Sequence, residues 1–117
     1  MTHILIIDDA EDILELAGIG LEIAGLSSST ACNGQQALQQ LEKQAPDLIL
    51  LDYQLGPESG LDLLPQLRQR CSAPVVFLTA ASGEDQKFLA AGAAGVLMKP
   101  FDPMSLGQAL LPWLPVA

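Results

Sequence analysis

Short runs of apolar residues alternate along this chain with stretches whose apolar residues recur every three or four positions. The runs Ile4–Ile7, Leu48–Leu51 and Val75–Leu78 ("ILII", "LILL", "VVFL") contain no polar residue, the mark of strands covered on both faces. Gly95–Met98 ("GVLM") is a fourth strand. Ser28–Cys32 ("SSTAC") is a fifth, and its serines and threonine suit a sheet edge better than a sheet centre. Helical patterns fill the gaps. Glu11–Ala24 brings Leu14, Ala17, Gly18 and Leu21 to one face. Gly34–Glu42 does the same with Ala37, Leu38 and Leu41, and Leu61–Gln69 with Leu63, Leu64 and Leu67. Pro65 in that stretch requires a first-turn position. Glu84–Ala91 follows Ser82-Gly83, and Pro103–Trp113 opens with a proline suited to a first turn, behind Asp102 as N-cap.

Alternating strand and helix signals predict βα units with right-handed crossovers: an α/β fold, doubly wound, with a five-stranded parallel sheet. The 117 residues suit one domain, 1–117. In such a sheet ligands bind beyond the carboxyl ends of the strands. The residues delivered there are Asp8 and Asp9 after Ile4–Ile7, Asp52 after Leu48–Leu51, Thr79 after Val75–Leu78, and Lys99-Pro100 after Gly95–Met98. Each alone has an ordinary explanation as a turn, cap or solvated residue. Together, at four strand ends of one sheet, they form a constellation.

Composition narrows the partners. A formal net charge of −9 with only five Lys and Arg argues against direct nucleic-acid binding and against anionic membranes. There is no apolar run long enough to span a membrane and no basic-then-apolar leader, so the expected compartment is the cytoplasm. Cys32 and Cys71 stand far apart without a metal-ligand pattern and read as structural thiols.

The constellation has a coherent chemistry. Two unit charges at 4 Å repel by about 4 kcal/mol at an effective dielectric of about 20, so three carboxylates in one crevice need compensation. Lys99 offsets one charge, and a divalent cation would offset the other two. An all-oxygen site with carboxylates and waters suits Mg²⁺. Asp52 could then act as a carboxylate nucleophile toward phosphorus, with metal and ammonium stabilising the transferred group and Thr79 donating a hydrogen bond to it.

The segments "ILIIDDAEDI", "PDLILLDYQLGPESGLDLL", "PVVFLTA" and "GAAGVLMKPF" resemble, over essentially the whole chain, the receiver domain of two-component response regulators. The resemblance implies a flavodoxin-like (βα)5 fold with strand order 2-1-3-4-5. It implies Asp52 as phosphoacceptor and a phosphohistidine donor on a sensor histidine kinase or histidine phosphotransfer protein. It implies Mg²⁺ held by Asp9, Asp52 and the backbone carbonyl of Gln54, with Asp8 acting through water. Lys99 would pair with the phosphoryl group, and the Lys99–Pro100 bond would be cis. Thr79 and Val96 hold the family's switch positions, but Val96 stands where an aromatic ring is usual, three residues before the lysine. Gly56 holds a place where proline is common, with Pro57 after it. Gln54 and Ala81 occupy the positions from which side chains influence attack of water on the acyl phosphate. The family usually meets its phosphodonor around Glu11–Leu14 and Phe101–Met104.

The leading expectation is therefore a phosphoacceptor signalling module rather than an enzyme, acting on an output partner the sequence does not name. Two others compete. A Mg²⁺-dependent phosphohydrolase would want an acid where Gln54 stands, and a phosphorylation-independent interaction domain gains only from Val96. The chain stops after the fifth helical segment, which leaves either a stand-alone regulator or a receiver excised from a longer protein, and Met1 favours an authentic N-terminus. His3 reads as a surface residue ahead of the first strand, Tyr53 as bordering the site, and Phe101 as core. Trp113 reads as sealing the core edge, with an exposed patch for homodimer formation or partner docking as the alternative.

Overall fold

The computed structural model describes residues 2–80 and 85–115. Its elements are β1 (His3–Ile7), α1 (Glu11–Ile23), β2 (Ser27–Ala31), α2 (Gly34–Lys43), β3 (Leu48–Asp52), the two-residue strands β4 (Gln54–Leu55) and β5 (Glu58–Ser59), α3 (Gly60–Arg70), β6 (Val75–Thr79), α4 (Asp85–Ala90), β7 (Gly95–Met98) and α5 (Leu106–Ala109). The main sheet runs β2-β1-β3-β6-β7, all parallel. With the separate β4/β5 hairpin left out, this is the order 2-1-3-4-5. The polar strand β2 takes an edge, as its composition predicts.

Strand alternation divides the core into two layers. Leu5, Ile7, Ile49, Leu51 and Phe77 face one side, against residues of α2, α3 and α4 such as Ala37, Leu64 and Phe88. Ile4, Ile6, Leu48, Leu50 and Leu78 face the other, against Ala17 and Leu21 of α1 and Leu106 and Leu110 near the C-terminus. Every residue of β1, β3 and β6 is buried. Burying a Leu or Ile side chain contributes about 1.5–3 kcal/mol, so these strands hold their ends, and whatever stands on them, in fixed positions.

Four features depart from the sequence reading. His3 is not a surface residue: it begins β1 and is buried, because its ring nitrogens lie 2.7 Å from Ser27 Oγ (Nδ1) and 2.7 Å from Ser29 Oγ (Nε2) on β2. Pro65 lies in the second turn of α3, since that helix begins at Gly60 behind Ser59, whose hydroxyl accepts from Leu61 N. The proline ring is exposed and the helix continues through it. The expected Pro103–Trp113 helix is broken into a 3₁₀ turn over Pro103–Ser105, the short α5, and a second 3₁₀ turn over Leu111–Trp113. Asp102 does cap its start, accepting from Met104 N at 3.0 Å, but Pro112 lacks the amide needed to carry an α-helix to its end. The β4/β5 hairpin was not foreseen; it turns on Gly56 at φ +62°.

Trp113 seals the core edge. Its indole lies against Gly95, where any Cβ would collide with the ring, and its Nε1 donates to the Ala94 carbonyl at 3.1 Å. Phe101 packs partly buried on the same layer. Cys32 and Cys71 are free thiols. No helix among the described residues is long and apolar enough to cross a membrane. Ala81 and the expected helix start at Glu84 after Ser82-Gly83 lie outside the described residues.

Candidate functional site

The sheet's carboxyl-end rim brings Asp8, Asp9, Asp52, Thr79 and Lys99 to one place. Asp52 and Thr79 are the last residues of β3 and β6; Asp8 and Asp9 follow β1, and Lys99 follows β7. The registers Ile7↔Leu51, Asp52↔Leu78 and Thr79↔Met98 bring these ends level. The Lys99–Pro100 peptide is cis. Lys99 N donates to Thr79 O at 2.8 Å, tying the two outer positions together.

Asp8 is fully buried. Its Oδ1 accepts from Ala10 N at 2.9 Å, which fixes the turn into α1, and its Oδ2 accepts from Lys99 Nζ at 2.9 Å. Asp52 is 6% exposed, with Oδ2 3.4 Å from the same ammonium and Oδ1 accepting from Gln54 N at 3.4 Å. Asp9 is exposed. Carboxylate oxygens of Asp8, Asp9 and Asp52 all lie within 4.8 Å of one another. Glu11 and Asp12 stand apart in the first turn of α1, where negative charge favours a helix start.

The electrostatics follow from burial and from the unequal count of charges. Burial, and then the charge of Asp8, push Asp52 up from 3.8 to about 6, although Lys99 pulls the other way. Burial works to lower the pKa of Lys99, but its hydrogen bond to Asp8 and the charges of Asp8 and Asp52 outweigh this and raise it above 10.5. Three carboxylates facing one ammonium leave a site short of positive charge. The donor set is hard, all oxygen and closely grouped, which fits a small divalent cation.

Asp9, Asp52, Gln54, Gly56, Thr79 and Lys99 line a cleft of about 770 Å³ over this rim. Tyr53 also lines it; its backbone is held by Tyr53 N donating to Leu78 O at 3.1 Å and Gly60 N donating to Tyr53 O at 2.7 Å. Val96 lies away from the rim, partly buried among the residues under α3 and α4. Two neighbours escaped the sequence reading. Glu58, on the hairpin, accepts from Gly34 N at 3.1 Å and so ties the loop after Asp52 to the start of α2. Lys87, on α4, donates to Tyr53 Oη at 2.6 Å. Each pair is at least 24 residues apart, and no local pattern announces it.

The sequence profile described as "Response regulator receiver domain" matches residues 4–111. The chain belongs to the response regulator receiver family. This receiver domain is 40% identical over 108 residues to the phosphate regulon transcriptional regulatory protein PhoB of Pseudomonas aeruginosa, covering 88% of the chain and 47% of that protein. It is 40% identical over 103 residues to the alkaline phosphatase synthesis transcriptional regulatory protein PhoP of Bacillus subtilis, covering 86% and 43%. The receiver therefore spans about half the length of the curated relatives it matches. Its fold superimposes on the chemotaxis response regulator CheY4 of Vibrio cholerae with a TM-score of 0.88 and 29% identity, covering 97% of this chain and 99% of that one. The flavodoxin-like architecture and the two-component signalling class follow from these matches.

Proposed function

We propose that this receiver domain accepts a phosphoryl group on Asp52 from a phosphohistidine donor, in a Mg²⁺-dependent reaction, and so controls an output partner. The observation that carries the reading is the placing of Asp52: nearly buried, 3.4 Å from Lys99, beside Asp8 and Asp9, and opening onto the cleft. With a pKa of about 6 its carboxylate is ionised at neutral pH and able to act as a nucleophile.

In the transfer, an Asp52 carboxylate oxygen forms a bond to phosphorus as the phosphorus–nitrogen bond to the donor imidazole breaks. The imidazole leaves with the bonding pair and takes a proton. Lys99 holds its ammonium where negative charge gathers on the phosphoryl oxygens, and Thr79 stands at the rim to donate its hydroxyl to one of them. Mg²⁺, when bound, supplies Lewis-acid neutralisation of the same oxygens. Asp9, Asp52 and the Gln54 carbonyl would hold the ion. Asp8 acts through water, a role supported by the engagement of its two oxygens with Ala10 N and Lys99 Nζ.

The donor class is a sensor histidine kinase or a histidine phosphotransfer protein. Gln54 offers no acid for ester hydrolysis, so the domain works as a signalling module with self-phosphorylation and self-dephosphorylation chemistry only. Incubation with acetyl phosphate and Mg²⁺, followed by intact mass measurement, tests the reading. One added phosphoryl group on the wild type, lost with chelator and lost in Asp52→Asn, supports it. No addition to the wild type, or equal addition to Asp52→Asn, refutes it.

A further inference from the structure

The hairpin that follows Asp52 is too small to hold its own shape. β4 and β5 have two residues each and pair as Gln54↔Ser59 and Leu55↔Glu58, which leaves Gly56 and Pro57 as the turn. A lone two-stranded hairpin is marginal at best in water, so its position comes from contacts outside it. At its base Leu55 is buried in the core, Gly60 N donates to Tyr53 O at 2.7 Å, and Ser59 Oγ accepts from Leu61 N at 3.2 Å. The tip, Gly56 to Glu58, is exposed. Among the described residues, its polar anchor is Glu58, whose Oε1 accepts from Gly34 N at 3.1 Å.

The α2 end of this contact is shaped to receive it. Gly34 is the first residue of α2, where an amide has no partner inside the helix. The N-cap Asn33 serves Gln36 N at 2.8 Å, two residues further on. Gly34 is buried, so its N–H depends on Glu58 rather than on bulk water. A carboxylate there also meets the positive end of the helix dipole. A Cβ at Gly34 would lie 2.5 Å from Glu58 Oε2, so glycine is what lets the carboxylate come this close.

We propose that Glu58 is a positioning residue for the metal site: by clamping the hairpin tip to Gly34 of α2, it holds the Gln54 carbonyl where Mg²⁺ is bound. The proposal rests on the reading above, in which that carbonyl is one of the ion's ligands. Glu58 is not among the carboxylates grouped at the rim, so it acts through the backbone of the hairpin. Gln54 and Glu58 sit in adjacent pairs of that hairpin. The turn between them lies against the acid cluster, since a Cβ at Gly56 would stand 3.8 Å from Asp9 Oδ2. With the clamp released, Leu55 still anchors the base, but the tip is free to swing and the Gln54 carbonyl is in place for a smaller fraction of the time. Apparent affinity falls in proportion to that fraction.

Titration of the whole metal-free chain with Mg²⁺ alone, followed by the backbone amide shifts of Asp9 and Gln54, tests this without any phosphoryl donor. Amide shifts far from the hairpin and α2 show that each variant keeps the fold. Glu58→Ala is expected to weaken Mg²⁺ binding by about threefold to tenfold, the loss of one hydrogen bond to a charged group at an exposed site. Glu58→Gln loses the charge but keeps an oxygen to accept from Gly34 N, and should bind within about twofold of the wild type. Gly34→Ala keeps the charge of Glu58 but blocks the approach of its carboxylate, and should weaken binding as Glu58→Ala does. Wild-type affinity in Glu58→Ala overturns the clamp. So does equal weakening in Glu58→Ala and Glu58→Gln with wild-type affinity in Gly34→Ala, because the charge of Glu58 and not its contact would then matter. Absence of a saturable shift at Gln54 in the wild type overturns the metal-site reading beneath, and the wild-type titration separates that result from the other two.

Discussion

The two ends of β1 each bury a polar side chain, and they do it in opposite ways. At the amino end, His3 meets two serine hydroxyls, one at each ring nitrogen, and its backbone N–H donates to Asp47 Oδ2 at 2.8 Å. Each donor and acceptor there has a partner and no unlike charge is needed. At the carboxyl end, Asp8 is buried as well, but it is one of three carboxylates grouped around one ammonium. One strand thus ends in a closed hydrogen-bond cluster at one side and an unbalanced charge cluster at the other. The first is balanced by its own hydrogen bonds. The second leaves negative charge in excess, a cost that a bound cation would relieve, so a buried polar group points to a site when its partners do not balance it.

The largest expected effect would sharpen that contrast. Lys99→Met removes the one ammonium from the rim and should destabilise the metal-free protein by about 3 kcal/mol, because a buried carboxylate left unpaired costs about that much. Chemical denaturation measures it, and added Mg²⁺ should restore part of the loss. Mg²⁺ itself should stabilise the wild type by about 2.7 kcal/mol at one hundred times its dissociation constant, and chelation should reverse this. The same additions should leave the stability of Asp9→Asn nearly unchanged. His3→Ala should cost about 2 kcal/mol by exposing a cavity and orphaning the serine hydroxyls, yet leave phosphoryl uptake intact. Loss of uptake in that variant would break the division between the two ends.

The smallest effect has the opposite sign. Asp52 binds its proton more tightly in the folded chain, about 6 against 3.8, so the folded state holds more protons between those values. Stability therefore falls as pH rises from about 4 to about 6, and the loss is complete above about 6. Asp52→Asn removes this penalty. At pH 7 without metal it should raise stability by about 1–2 kcal/mol, less than the full shift would give because the amide forfeits its ionic attraction to Lys99. The variant's stability curve should also be flatter across that window. A destabilised Asp52→Asn would mean that Lys99, rather than burial and Asp8, dominates the environment of Asp52.

Much of this was readable from the chain because it depends on local periodicity. Unbroken apolar runs identify β1, β3 and β6, and a parallel sheet places whatever follows them on one rim, so Asp8, Asp9, Asp52, Thr79 and Lys99 could be gathered before any coordinates. What could not be read depends on partners distant in sequence. His3 looks like a solvated residue until the register His3↔Ser27 sets it against β2. The Tyr53–Lys87 bond joins residues 34 apart. Pro65 and Pro112 carried a local rule whose outcome was decided by packing: α3, anchored by buried Leu63, Leu64 and Leu67, runs past its proline, whereas α5, with Gly107 inside and Pro112 beyond, breaks into short turns.

The central claim is that the rim makes Asp52, and no other side chain, the acceptor. It is tested most directly by treating the wild type with acetyl phosphate and Mg²⁺, reducing with borohydride, and sequencing the peptides by mass. An acyl phosphate is reduced to an alcohol, so the account predicts homoserine at position 52 alone. Homoserine at Asp8 or Asp9, or a borohydride-resistant phosphoryl group on a hydroxyl such as Tyr53 or Thr79, would contradict it.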